Sequence, residues 1–210
     1  MNDGSVQQLK TGTTTVGILC KDAVVLGSES KSTMGWLVAN KEVQKVYQID
    51  DRLALTIAGS VGDALTLIRI IKAEIQLYKL MRNTEISTKA AITLMANIMH
   101  GNRYYPYMTM LLLGGYDRTG HHLYSIDPIG GIEDEKFTST GSGSPVAYGV
   151  LEDGYKEGMS KEDGIKLAVR SIRSARERDV MSGGKLIWIV TIDKDGVKFV
   201  DRAKIDELAK

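Results

Sequence analysis

TTTVGILCKDAVVLGS, residues 13–28, decides how the fold is read. Two runs rich in β-branched residues, 13–19 (TTTVGIL) and 23–28 (AVVLGS), are separated by Lys21 and Asp22, so the segment reads as a hairpin of two buried strands near the start of the chain. Cys20, the single cysteine, falls inside it; it cannot form an internal disulfide, and the expectation is a buried thiol in a reducing compartment.

Downstream, residues 42–49 and 52–58 (RLALTIA) flank Asp50 and Asp51 and repeat the pattern, which predicts a second antiparallel pair. From Gly62-Asp63 the spacing of Leu67, Ile68, Ile71, Ile75 and Tyr78 predicts a helix with one apolar stripe. Ser87 is placed to cap another, with Ala91, Leu94, Met95 and Ile98 on one face. Both are expected to cover the same sheet face.

Strands resume at 108–114 (MTMLLLG), 121–126 and 132–139, punctuated by Asp117–Gly120 and Gly130-Gly131. Ser144 reads as a cap ahead of Pro145 at the first helical position, and Ser160-x-x-Asp163 as a capping box ahead of Ile165, Ala168, Val169 and Ile172. Residues 186–192 (LIWIVTI) and 197–200 (VKFV) flank Asp195-Gly196, a hairpin signal. The order strands, two helices, strands, two helices, strands suits an α+β fold of two antiparallel sheets packed face to face with helices outside, in one domain.

The chain has 210 residues, 43% of them hydrophobic, enough for one substantial core. Charge is balanced, 27 Lys plus Arg against 26 Asp plus Glu, with no basic block to track a phosphate backbone, so nucleic acid is not an expected partner. No apolar run approaches the ~20 residues of a membrane helix, and Met1–Lys10 lacks the apolar stretch of a signal peptide, which predicts a cytoplasmic protein without membrane contact. His121 and His122 would point to opposite faces of a strand, and neither HExxH nor CxxC occurs, so metal catalysis is disfavoured. GxSxG and the GxxxxGK[ST] phosphate loop are also missing, and Thr140–Ser144 (TGSGS) lacks the third glycine of a dinucleotide fingerprint.

Lys10-Thr11-Gly12-Thr13-Thr14-Thr15-Val16-Gly17 resembles the processing junction of proteasome β subunits, where a propeptide ends in Gly and the mature chain begins with Thr. The resemblance continues through Lys21-Asp22-Ala23-Val24, Lys45-x-x-Gln48-Ile49-Asp50, Ile57-Ala58-Gly59-x-x-Gly62-Asp63-Ala64, Thr140–Pro145, Tyr148–Leu151 and RDVMSGG at 178–184. It covers almost the whole chain and is closest to the archaeal 20S type. It implies the four-layer αββα sandwich of N-terminal nucleophile hydrolases, a propeptide at 1–12 and a catalytic domain at 13–210.

It also implies a threonine endopeptidase that cuts unfolded proteins into short peptides. Thr13 would be the nucleophile, freed by self-cleavage at Gly12-Thr13, its own α-amine, with a pKa of about 8, serving as base near neutral pH. Lys45 matches the lysine that tunes this pair. Glu29 stands where the family often has the shorter Asp that pairs with that lysine. Asp179, Ser182 and Ser142 match the groups that hold the nucleophile's amine and hydroxyl, and Gly59 the residue whose N–H forms the oxyanion hole. Taken singly, Lys45 and Glu29 read as a surface ion pair, and the serines as loop polar residues.

Thr33 and Gly59 are expected to bind an extended substrate backbone. Ser32, Val43, Ile57 and Val61 correspond to the pocket wall; being small or apolar, they imply cleavage after large hydrophobic residues. The resemblance further implies stacked heptameric rings with proteasome α subunits and other β subunits, a regulatory ATPase at the particle ends, and no cofactor or metal. Beginning at Met1, the chain as written is expected to be the inactive, uncleaved form. Two alternatives stay open: a small-molecule amidase of the same hydrolase class, and a catalytically silent subunit of the same particle.

Overall fold

The hairpin at the start of the chain forms as β1 (Thr15–Leu19) and β2 (Val24–Glu29), antiparallel, with Val16 opposite Gly27 and Ile18 opposite Val25. The structure, a computed structural model, describes residues 12–209. β2 is buried along its whole length because each face meets a different layer: Val24 and Leu26 pack toward the other sheet, Val25 toward helices. A strand buried on both faces has no polar side to write into its sequence, hence its unbroken apolar run.

A short hairpin of β3 (Ser32–Met34) and β4 (Leu37–Asn40) follows, then β5 (Val46–Asp50) and β6 (Leu53–Gly59). Two helices come next, α1 (Val61–Arg82) and α2 (Thr88–Gly101), capped by the Ser60 and Ser87 side chains. β7 (Thr109–Asp117), β8 (Gly120–Ile126), β9 (Ile132–Asp134) and β10 (Phe137–Thr140) lead to α3 (Ser144–Gly154) and α4 (Lys161–Arg178). β11 (Ile187–Asp193), β12 (Gly196–Phe199) and α5 (Arg202–Leu208) complete the described chain.

One five-stranded sheet runs β10-β1-β2-β11-β12, the other β5-β6-β7-β8-β9, and every neighbouring pair is antiparallel. Val24, Leu26, Leu112, Leu123, Val190 and Ile192 form an apolar cluster drawn from both sheets. Leu55, Leu111 and Leu113 join α1 and α2 through Ile71, Ile92 and Met95. Val16, Ile18 and Ile189 join the last three helices through Leu151, Ile172 and Ile205. Each such fully buried side chain contributes about 1.5–3 kcal/mol of transfer free energy, so the three clusters hold the layers in register.

The structure departs from the sequence reading in five places. The single strand expected over 132–139 is two: the Glu135 N–H still donates to Leu123 O at 2.9 Å, whereas Lys136 O already accepts from Leu19 N at 2.8 Å, so the chain changes sheets between them. Ser144 is the first residue of α3, not its cap; its hydroxyl donates to Gly141 O at 2.7 Å, and Gly143 takes the capping position. The last hairpin turns on Lys194 and Asp195, with Gly196 at φ 105° paired to Asp193. The β3–β4 hairpin and α5 were not expected at all. The propeptide assignment falls, apart from Gly12, outside the described residues.

Candidate active site

Thr13 sits two residues before β1, only 4% exposed. Its backbone is fixed from both flanks. Thr15 is paired with Ser28 on one side and Thr140 on the other, and Thr14 O accepts from Glu29 N at 3.2 Å. The Thr13 carbonyl accepts from Gly143 N at 3.2 Å. The turn that brings Gly143 there needs glycine at 141, where φ is 95° and a Cβ would lie 2.1 Å from Thr13 O.

Lys45 lies just before β5 and is 4% exposed, so its side chain is committed to the interior. Its Nζ donates to Thr13 Oγ1 at 2.9 Å, to Lys31 O at 2.6 Å and to the Glu29 carboxylate. An ammonium has three donors, and here all three are used. Glu29, at the end of β2 and with no exposed surface, also accepts from Lys31 N at 2.6 Å, Gly183 N at 3.0 Å and Thr14 N at 3.4 Å. Burial pushes the Lys45 ammonium below the usual lysine range and the Glu29 carboxyl above the usual carboxylate range, each effect opposed by the partner's charge. A lysine so placed gives up its proton more readily than one in water.

A second group lies on the amide side of Thr13. The Thr13 N–H donates to Ser142 Oγ at 3.2 Å, and Ser142 Oγ donates to Asp179 Oδ2 at 2.6 Å. Ser182 Oγ donates to the same Oδ2 at 2.6 Å. Its only proton thus spent, the Ser182 hydroxyl accepts from Thr14 Oγ1 at 2.6 Å. Asp179 itself is held where α4 ends, its N–H bonded to Ala175 O. On the other side, Thr13 Oγ1 donates to Gly12 O at 2.6 Å, and Gly12 N donates to Thr33 Oγ1 at 3.3 Å.

The structure therefore gathers Gly12, Thr13, Glu29, Thr33, Lys45, Ser142, Asp179 and Ser182 into one hydrogen-bonded network. Five expected residues are outside it. Gly59 ends β6 at φ 115°, where a Cβ would lie 2.3 Å from Met108 O; it is two residues beyond Ile57, whose N–H donates to Lys45 O at 3.0 Å. Ser32 is half-buried in β3, and Val43, also half-buried, donates its N–H to Ser30 O. Ile57 is 3% exposed and belongs to the cluster under α1 and α2, whereas Val61, at the start of α1, is exposed. The expected wall is thus spread over different environments.

Sequence reasoning missed Thr14, Lys31, Gly141, Gly143 and Gly183. Lys31 acts through backbone atoms, which carry no residue-type signal. The three glycines carry one, since Gly141 and Gly183 adopt φ of 95° and 148° and a Cβ on Gly143 would lie 2.0 Å from Thr14 Oγ1, and Thr14 has one in its place beside Thr13. Among the described residues, no cluster of three or more His, Cys, Asp or Glu is arranged to hold a metal ion. Among them, too, no helix is long and apolar enough to cross a membrane.

Comparison with known proteins gives a consistent result. The family model described as proteasome subunit matches residues 9–191. A curated relative named proteasome subunit beta from Methanocaldococcus fervens is 52% identical over 94% of this chain and 88% of its own length. One of the same name from Methanococcus maripaludis is 51% identical over 95% of this chain and 91% of its own length. Another, from Methanosarcina mazei, is 50% identical over 92% of each.

Proposed function

The chain belongs to the proteasome subunit family, and we propose that it is the catalytic β-type subunit of a 20S core, a threonine endopeptidase with Thr13 as nucleophile. The observation that carries this reading is the buried contact of 2.9 Å between Lys45 Nζ and Thr13 Oγ1. A threonine hydroxyl is a weak nucleophile, and a buried cation beside it favours the charge that develops on its oxygen. The two five-stranded sheets and the five helices of the described residues suit the four-layer αββα sandwich of N-terminal nucleophile hydrolases.

Self-cleavage comes first. Thr13 Oγ1 attacks the Gly12 carbonyl carbon, the Gly12–Thr13 C–N bond breaks, and the hydroxyl proton ends on the released nitrogen. The product is an ester between Gly12 and Oγ1, which water opens to a Gly12 carboxyl and a Thr13 with free amine and hydroxyl. Lys45, its ammonium destabilised by burial, is suited to carry the proton in the uncleaved chain. The new amine keeps the Ser142–Asp179 pair as its partner, since the Thr13 nitrogen already donates to Ser142 Oγ at 3.2 Å.

Peptide hydrolysis then repeats the chemistry on a substrate. Oγ1 attacks the scissile carbonyl, the Thr13 amine takes the proton and passes it to the leaving amine, and water hydrolyses the acyl-enzyme. The N–H of Gly59 is assigned to the developing oxyanion, and Thr33 and Gly59 to the substrate backbone. Ser32, Val43, Ile57 and Val61 are assigned to an uncharged pocket wall that favours cleavage after hydrophobic residues. Stacked heptameric rings with α subunits and other β subunits, a regulatory ATPase and unfolded polypeptide in the cytoplasm complete the reading. Leu77, Leu80 and Met81, apolar and exposed on α1, suit contacts within such rings.

The test is intact mass of the chain coexpressed with its α subunit. Loss of residues 1–12 together with peptidase activity is the expected result; persistence of the uncut chain in assembled particles would point to the silent-subunit alternative.

A further inference from the structure

Gly12 sits in a closed seat. Its N–H donates to Thr33 Oγ1 at 3.3 Å and its carbonyl accepts from Thr13 Oγ1 at 2.6 Å, so its main chain is held from both sides. A Cβ added at Gly12 would fall 1.8 Å from Met181 Cβ, 2.7 Å from Met181 Cγ and 2.8 Å from Ser142 Oγ. Met181 Cβ is fixed by the backbone it hangs from, so a change of rotamer cannot clear it. That backbone is itself pinned: Met181 N donates to Asp179 Oδ1 at 3.2 Å, Ser182 N donates to Asp179 O at 3.1 Å, and Lys31 Nζ donates to Val180 O at 2.8 Å. Asp179 is the carboxylate that also holds the Ser142 and Ser182 hydroxyls, so the wall cannot retreat without disturbing the amide side of the site.

We infer that Met181 is a specificity-determining residue for self-cleavage: its Cβ is the wall that restricts position 12 to glycine. The inference rests on the self-cleavage reading above. Any residue with a side chain at 12 must move its main chain away from Met181, carrying the scissile carbonyl out of line with Thr13 Oγ1. A displacement of about 1 Å costs on the order of a hundredfold in rate. The clash is with Cβ, not with the thioether end, and this gives the inference a sharp signature. Met181→Ala retains the obstructing atom; Met181→Gly removes it.

The experiment coexpresses five forms of the full chain with the α subunit and follows, by intact mass over time, the fraction that begins at Thr13. The forms are wild type, Gly12→Ala, Gly12→Ala with Met181→Ala, Gly12→Ala with Met181→Gly, and Met181→Gly alone. Expected are complete cleavage of wild type and of Met181→Gly, and cleavage slowed about a hundredfold in Gly12→Ala by the displacement argument. The pair with Met181→Ala stays as slow, and the pair with Met181→Gly recovers at least tenfold, short of wild type because Ser142 still crowds the site. Equal rates for Gly12→Ala and wild type would overturn the inference, as would equal recovery by both Met181 changes or recovery by neither. Failure of Met181→Gly alone to mature would mean that Met181 supports the site instead of restricting it. If wild type itself stays uncut in assembled particles, the self-cleavage reading fails and the inference with it, an outcome separate from all the others.

Discussion

Lys45 Nζ stands 2.9 Å from Thr13 Oγ1 and, through its other protons, meets the Glu29 carboxylate and Lys31 O. The lysine is therefore aimed: two acceptors orient it and the third is the hydroxyl of the proposed nucleophile. Lys45→Ala should lower self-cleavage by about 10²–10⁴-fold, the range for a lost proton-transfer group, and peptide hydrolysis by about 10²–10³-fold, the range for a lost charge-stabilising donor. Glu29→Gln keeps the shape but leaves Lys45 without its counter-charge; a loss of more than tenfold in kcat is expected, read from steady-state kinetics on a peptide substrate.

The acidic limb of the pH profile follows from the same pair. Burial lowers the Lys45 pKa, and the Lys31 charge lowers it further while Glu29 opposes both. If neutral Lys45 accepts the proton, the self-cleavage rate must fall about tenfold per pH unit below that depressed pKa and level off above it. Lys31→Gln removes a positive charge from the neighbourhood, so Lys45 holds its proton to higher pH and the inflection should move upward. An unmoved inflection would mean that another group titrates.

Asp179 takes two hydroxyl protons on one oxygen, from Ser142 and from Ser182, both at 2.6 Å. Asp179→Asn turns that oxygen site into a weaker acceptor or a competing donor. Hydrogen bonds to a charged group are worth roughly 1.5–3 kcal/mol, so kcat should drop about 10–100-fold. KM should stay within about twofold, because the pair orients the Thr13 nitrogen and does not bind substrate.

Asp117 supplies a test of the fold that is independent of the chemistry. It accepts from Thr88 N at 2.8 Å at the start of α2, from Thr119 N at 2.8 Å and from Thr119 Oγ1 at 2.6 Å. Burial alone would raise its pKa, but these hydrogen bonds outweigh it and hold the carboxyl well below the usual range. A folded-state pKa below the unfolded one gives stability that is present above about pH 4 and is lost as pH falls through the lower value. Asp117→Asn turns charge-assisted hydrogen bonds into neutral ones, which should cost roughly 1 kcal/mol near neutrality and flatten the acid limb of thermal unfolding.

Cys20 is 4% exposed and its thiol is pushed up to about 12, by burial first and then by the charges of Asp22 and Asp163. Thiolate is the reactive form, so the native protein should resist a maleimide at neutral pH and react only on unfolding. Labelling of the folded chain at the rate of a free thiol would contradict its placement between the first sheet and α4.

Much of this was legible because it is written in side chains. Ser87 and Ser160 announce α2 and α4, and both do accept from the N–H three residues on. The junction at Gly12-Thr13 singles out Thr13, and Lys45, Glu29, Ser142, Asp179 and Ser182 share one hydrogen-bonded network with it. What stayed hidden depends on the main chain. Lys31 contributes a carbonyl and an N–H, atoms that any residue type would offer. The sheet change at Glu135-Lys136 is set by which neighbour accepts each strand, a long-range choice that a local alternation cannot encode. Ile57 shows the converse limit: its apolar character suits a pocket wall and a core equally, and the cluster under α1 and α2 takes most of its surface.

The central claim is that Thr13 is the group that opens both its own junction and the substrate. It is tested most directly with Thr13→Ala, purified with the α subunit and measured at once for intact mass and for hydrolysis of a peptide with a hydrophobic residue at the cut. Thr13→Ala should give an assembled particle whose β chain keeps residues 1–12 and has no peptidase activity. A Thr13→Ala chain that matures, or that hydrolyses the peptide at the wild-type rate, would contradict it.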